Sequence, residues 1–320
     1  MLFSDLLGDD LWYLALYNTG EGQDGFLRNL NVAVTRLQQG RRATIGYGVF
    51  RYAGLRYDPT DPDAAGEFPY VYETLWGGSG VVAYPVSMFQ RVEVGASLAA
   101  SDKELPTASA AQRTLLGSTS IGLVHDNSLW GMNGPIEGTR ASATLGYTTD
   151  VSLRENLTYW TGIVDARTYW RLSRNVTFAQ WGMVRANVGR RARFNLIGGS
   201  WDLRGQRFLG VRGAKMWFTS HELRFPILYA PSAYVPMLAP FGIAGLRGAL
   251  FADAAHVWNR DYTFEEPSLR TGTTLGALGA GLRVNLFGAI VLRYDVGWRY
   301  RDAFRTRVGP FRQFFFGLDF

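Results

Sequence analysis

Apolar and polar residues alternate with a period of two through nearly the whole of this 320-residue chain. Ala43, Ile45, Tyr47 and Val49 alternate with Thr44, Gly46 and Gly48. Ala141, Ala143, Leu145 and Tyr147 alternate with Arg140, Ser142, Thr144 and Gly146. The pattern recurs at 279–286, where Leu282 and Val284 flank Arg283, and at 290–300, where Leu292, Tyr294, Val296 and Trp298 flank Arg293, Asp295 and Gly297. Successive side chains of a strand point to opposite faces, so each segment is a strand with one apolar and one polar face. The apolar face carries Leu, Val and large rings; the other carries Gly, Ser, Thr and isolated charges. Almost no segment reads as a helix able to cover the apolar faces. A closed antiparallel barrel, with lipid outside and a wet interior, satisfies both faces and every backbone group together.

Composition agrees with that solution. The chain holds 38 Gly, 20 Phe, 16 Tyr and 10 Trp, which excludes a disordered chain. Many segments end in a ring, such as Trp12, Trp160, Trp170, Trp258, Trp298 and Tyr300, as the aromatic girdles of a membrane barrel require. There is no Cys, which excludes a disulfide scaffold and thiolate chemistry. Of the 33 basic residues only Lys103 and Lys215 are lysine, and the arginines are scattered rather than gathered into a stripe. A nucleic-acid partner is therefore not expected. The one long window without charge, 225–246, contains Pro226, Pro231, Pro236 and Pro240, and no helical span survives them. The first twenty residues carry three Asp and no basic residue, the wrong start for a secretory signal.

Turn signals separate about fifteen segments, each with roughly ten membrane-embedded residues. Even counts prevail in single-chain bacterial barrels, so sixteen strands are expected, the first truncated at Met1; fourteen follow if one segment has been split in two. Short connections at 39–42, 85–90 and 172–175 alternate with long ones at 54–68, 101–112, 188–213 and 259–271. No linker divides the chain, and 1–320 reads as one domain.

Residues 198–226, GGSWDLRGQRFLGVRGAKMWFTSHELRFP, carry the most information. The chain here resembles the BamA/TamA superfamily of outer-membrane assembly barrels, the bacterial surface antigen family. Members have an Arg-Gly pair in a long loop that folds back into the lumen, followed by a strand with an inward Glu before an aromatic and Pro. The next strand has an Asp two residues after an aromatic. The matching positions are Arg204-Gly205, Glu222, and Phe251 with Asp253; Gln206 stands where the family usually carries an aromatic, with Phe208 nearby. The resemblance makes Arg204 a lumen arginine and Glu222 and Asp253 its acidic partners, with 188–213 plugging the lumen. The chain ends in RQFFFGLDF, where Phe314, Phe316, Leu318 and Phe320 share a face and look like the β-signal recognised during insertion. Segments near the N-terminus resemble barrels fused to TolB-like propellers. The chain holds no POTRA repeats, and an upstream periplasmic domain, POTRA or propeller, is expected.

Other readings of these residues stand beside that one. Without Glu222 and Asp253, Arg204 reads better as a loop arginine in water, and an arginine with two carboxylates serves either gating or a purely structural role. GALGAG at 276–281 lacks the strand-to-helix context and the Lys of a phosphate loop; glycines where another backbone passes closely explain it better. Only His125, His221 and His256 exist, with no recognisable Ser-His-acid array. No catalytic residue, metal site or cofactor is expected, and an enzyme is not the favoured class. The resemblance implies an outer-membrane barrel of a Gram-negative-type bacterium that inserts outer-membrane proteins or translocates polypeptides. Its partners would be lipid and unfolded client proteins. The alternative is a passive pore, or a membrane anchor for a missing periplasmic domain.

Overall fold

A computed structural model describes residues 2–4, 9–18, 25–57, 70–104, 112–131, 134–154, 156–228, 233–234, 242–258, 274–286 and 290–318. Within these residues the chain forms strands and no helix. In chain order they are β1 Leu2–Ser4, β2 Asp10–Asn18, β3 Leu30–Gln38, β4 Thr44–Tyr57, β5 Tyr70–Pro85, β6 Gln90–Glu104, β7 Gln112–Asp126, β8 Leu129–Gly131, β9 Gly134–Asp150 and β10 Thr158–Arg171. There follow β11 Thr177–Arg190, β12 Asn195–Ile197, β13 Val211–Gly213, β14 Lys215–Leu228, β15 Ala233–Tyr234, β16 Gly242–Trp258, β17 Thr274–Leu286, β18 Ile290–Arg301 and β19 Thr306–Leu318.

Seventeen of the described strands belong to one sheet, and β12 with β13 forms a separate two-stranded one. The sheet thus has one strand more than the sixteen expected. Three of the seventeen, β1, β8 and β15, are only two or three residues long. The others run from nine to seventeen residues. The fragment β8 pairs with β9, and the pairing shifts register between Leu129 and Trp130. Consecutive antiparallel pairing is continuous from β2 to β6. It is continuous again from β14 through β16, β17 and β18 to β19.

The strands overrun the expected loops. Residues 54–57 continue β4, residues 101–104 continue β6, and residues 188–190 finish β11. In 101–104 the reason is visible: Ser101 and Lys103 are buried and alternate with Asp102 and Glu104. The ladder goes on, but both faces have become polar, so hydrophobic alternation no longer reports it. The short connections at 39–43, 86–89 and 172–176 are turns. Residues 58–69, 105–111 and 259–273 lie outside the described residues.

The residues group into two compact units. The first comprises Met1–Val124, Ala143–Ile163 and Ala186–Phe194; the second comprises His125–Ser142, Val164–Arg185 and Asn195–Phe320. In the first, Leu116, Leu157, Tyr159 and Ala192 pack together with Leu75. In the second, Met183, Ile197, Leu203, Val211, Met216, Phe218, Ala255 and Val257 form a larger core.

Burial along the strands is inverted relative to a water-soluble protein. Val49 (64% exposed), Leu282 (45%) and Val296 (40%) stand open on one face. Glu73, Lys103, Glu222, Asp253, Arg283 and Asp295 are buried on the other. Exposing large aliphatic rows while burying charge is unfavourable in water and favourable when the exposed face meets hydrocarbon.

Candidate functional site

The second unit gathers charge from four adjacent strands and one loop. Strand register does the first part of the work. Ser220 of β14 lies opposite Asp253 of β16, and Glu222 opposite Phe251. Phe251 lies opposite Gly279 of β17. Gly281 of β17 lies opposite Asp295 of β18, and Arg283 opposite Arg293. Because side chains alternate, Ser220, Glu222, Arg224, Asp253, Arg283 and Asp295 all turn to the buried face. Gly281 leaves room for the Asp295 carboxylate: a Cβ there would come within 2.2 Å of the Asp295 Oδ1 and push it aside.

Onto this face folds the loop between β11 and β14. Its short β12–β13 hairpin pairs Asn195 with Gly213 and Ile197 with Val211. Asp202 organises the tip, its Oδ1 accepting from the backbone N–H groups of Gly198 and Leu203, both at 2.7 Å. Burial is the main influence on the Asp202 carboxyl and raises its pKa, opposed by those N–H groups and by the charge of Arg185. Ile197, Leu203 and Val211 insert among Met183, Met216, Phe218, Ala255 and Val257. Met216 and Phe218 have the same parity as Ser220 and Glu222, so the buried face is apolar beneath the loop and polar beyond it.

Arg204 sits at the centre of the contact and is buried, as are Asp253 and Glu222. Its Nε donates to Asp253 Oδ2 at 2.7 Å and one terminal nitrogen donates to Asp253 Oδ1 at 2.8 Å, a bidentate fork. The other terminal nitrogen donates to Glu222 Oε2 at 3.1 Å and lies 4.0 Å from Asp295. Ser220 Oγ accepts a further bond at 3.0 Å and itself donates to Asp253 Oδ1 at 2.7 Å. The guanidinium plane lies 3.7 Å from the Phe251 ring centroid, a cation–π contact worth most when desolvated. The structure therefore brings Arg204, Glu222, Asp253 and Phe251 together. The surrounding carboxylates hold the Arg204 guanidinium protonated, raising its pKa although burial opposes the charge.

Gly205 makes the next contact possible. Its φ is +77°, where a side chain is strained, and a Cβ would meet Phe311 Cδ1 at 2.7 Å. Its N–H donates to the Gln313 side chain of β19 at 3.1 Å. Trp201 packs edge-on against Phe315 at 4.7 Å, and Ser200 bonds to the Phe314 carbonyl and accepts from Arg293. The loop is thus tied to the last two strands as well as to β14 and β16. Gln206 is half-buried, and the nearby Phe208 is 70% exposed and takes no part in the docking.

Several members of the cluster were not anticipated. Arg224 and Arg283 both pair with Glu222, and Arg293 pairs with Asp295 at 2.9 Å. Arg283 and Asp295 sit on polar strand faces, which alternation does show, but only the inter-strand register brings them to Glu222. In the first unit, Glu73 is a second buried acceptor. It receives Arg193 at 2.8 Å, Arg56 at 2.7 Å and Ser101 at 2.5 Å. Of the terminal stripe, Phe314 and Phe316 are both 62% exposed on one face of β19 while Phe315 is buried on the other. Leu318 closes the strand; Phe320 lies outside the described residues.

Over residues 36–320 the sequence matches the Omp85 superfamily domain. The chain belongs to the Omp85 superfamily. No curated relative matches it. Among solved structures it is similar to BamA from Haemophilus ducreyi lacking POTRA domains 1–3, with a TM-score of 0.60 and 17% identity over 89% of this chain and 62% of that one. It is also similar to CdiB from Escherichia coli, with a TM-score of 0.63 and 13% identity over 100% of this chain and 58% of that one. CdiB from Acinetobacter baumannii gives a TM-score of 0.59 and 12% identity over 99% and 55%. At these identities the likeness establishes the fold alone, a transmembrane antiparallel β-barrel; membership of the Omp85 superfamily places it in the bacterial outer membrane. This Omp85 chain spans between 55% and 62% of the length of those relatives.

Proposed function

We propose that this Omp85 chain is the barrel domain of an outer-membrane machine that inserts or translocates polypeptides, and that its 191–214 loop folds into the lumen as a clamped plug. An upstream periplasmic domain would deliver the client. The observation that carries the reading is the buried Arg204 fork on Asp253, shared with Glu222. A guanidinium with four hydrogen bonds to three side chains fixes one position of the loop. An inert anchor has no need of a charged latch on a loop that also grips β19 through Gln313 and Phe315.

The mechanism follows from that geometry. A client strand pairs with an unpaired sheet edge through main-chain hydrogen bonds. The loop restrains β18 and β19 through Arg293, Gln313 and Phe315, so releasing Arg204 frees the C-terminal end of the sheet to move. The exposed Phe314 and Phe316 mark the face on which this chain is itself recognised for insertion. Purified protein in liposomes, given an urea-unfolded outer-membrane protein as client, tests the reading. Client folding is expected to accelerate over empty liposomes. Ion conduction without any acceleration would favour the passive-pore alternative.

A further inference from the structure

A cavity of about 270 Å³ lies beside the clamp in the second unit, between the loop tip and strands β10, β11, β14, β17, β18 and β19. Its wall carries six arginines: Arg167, Arg185, Arg204, Arg224, Arg283 and Arg293. The carboxylates in the wall are Asp165, Asp202 and Glu222, with Asp253 and Asp295 immediately behind them. Five negative charges face six positive ones. Glu222 alone serves three of the arginines.

Five of the six guanidinium groups are engaged. Arg167 bonds to Asp165 and lies 4.2 Å over the Trp181 ring, while Arg204, Arg224, Arg283 and Arg293 pair with Asp253, Glu222 or Asp295. Arg185 differs. It makes no hydrogen bond or ion pair among the described residues, and its Nε is buried without a partner. Asp202, the acid nearest in charge to it, already has Oδ1 committed to two backbone N–H groups. Arg185 as a whole is partly buried; a buried guanidinium nitrogen left without an acceptor is costly, whereas an oxyanion satisfies the fork bidentately. The volume accommodates a phosphate-sized group with several waters, each of about 30 Å³.

We propose that this cavity binds one small oxyanion, a phosphate or carboxylate group, with Arg185 as its principal cation. The bound group neutralises the one surplus charge and bridges Arg185 to the loop tip. Trp181 and Trp201 line the cavity and report its occupancy. Inorganic phosphate is titrated into detergent-refolded protein at constant ionic strength while tryptophan fluorescence is followed. A saturable change is expected, with a midpoint raised about tenfold or more in Arg185→Gln, the loss of one charge-assisted contact. Arg185→Lys falls between, because ammonium keeps the charge and loses the fork. The exposed Arg171→Gln leaves the midpoint unchanged. Acetate titrated separately tells a planar ligand from a tetrahedral one, and dihexanoyl phosphatidate tells a lipid headgroup from a free ion. Saturation by any of the three that depends on Arg185 supports the site. No saturation by any of them, the same response to chloride, or an unshifted midpoint in Arg185→Gln overturns it. Should Arg185→Gln fail to refold, an unshifted midpoint in Arg185→Lys overturns it equally.

Discussion

Replacing Arg204 with Ala removes a cation from the middle of three buried carboxylates. Glu222 keeps Arg224 and Arg283, and Asp295 keeps Arg293. Asp253 keeps only the Ser220 hydroxyl and a 3.3 Å contact with the residue-204 N–H. The loss therefore falls on Asp253, which is fully buried. Breaking a buried pair from one side typically costs about 3–5 kcal/mol, and the lost contact with Phe251 is part of that figure, since the terms share one guanidinium. Docking of the loop, not folding of the barrel, should bear the cost. Amide exchange across 196–213 should accelerate by two orders of magnitude or more, about 3 kcal/mol, while exchange in β4 and β5 is unchanged. Arg204→Lys should recover less than half, because ammonium lacks the fork. Pairing Arg204→Ala with Asp253→Ala should cost far less than the sum of the two. Exchange in 196–213 within threefold of wild type, or additive single effects, would refute the latch.

Three further outcomes are expected. Val296→Arg on the lipid face should destabilise the refolded barrel by about 2–4 kcal/mol if the site is near the midplane, and substitution of the buried neighbour Gly297 by Ser should be felt through packing and not through charge; urea unfolding in vesicles measures both. Deleting Phe320 should leave the protein aggregated or degraded in cells and still able to refold in detergent, and normal outer-membrane levels would rule out a β-signal at 314–320. Burial raises the Asp202 pKa, so the docked loop holds that proton more tightly than the released one. Its contribution is full below the ordinary aspartate pKa of about 3.9 and is lost as pH rises through the raised value. Loop protection should fall across that interval, and Asp202→Asn, which keeps the acceptor without the charge, should abolish the dependence.

Much of this architecture is legible in the chain because lipid exposure leaves a period-two record. Leu282, Tyr294 and Val296 are exposed as their alternation with Arg283, Asp295 and Gly297 requires. The meeting of Arg204 with Glu222 and Asp253 was anticipated through family resemblance and not through spacing, since 18 and 49 residues separate them. Register is the first thing alternation omits. It places Arg283 beside Glu222 and Gly281 opposite Asp295, and neither pairing can be counted off along one strand. The apolar patch beneath the loop is the second. Met216 and Phe218 share the parity of Glu222, and a uniformly polar interior leaves no place for them until the loop supplies Leu203 and Ile197. Strand ends are the third, because Lys103 and Glu104 continue a ladder whose two faces are both polar.

Single-channel conductance in planar bilayers tests the clamped plug most directly. A loop held in the lumen by Arg204 should keep wild-type protein mostly closed, with brief openings, and Arg204→Ala should convert it to a long-lived open level of higher conductance. Arg204→Lys should flicker between the two. Identical conductance and dwell times in wild type and Arg204→Ala, with the variant shown to be folded, would contradict the claim that this loop closes the barrel.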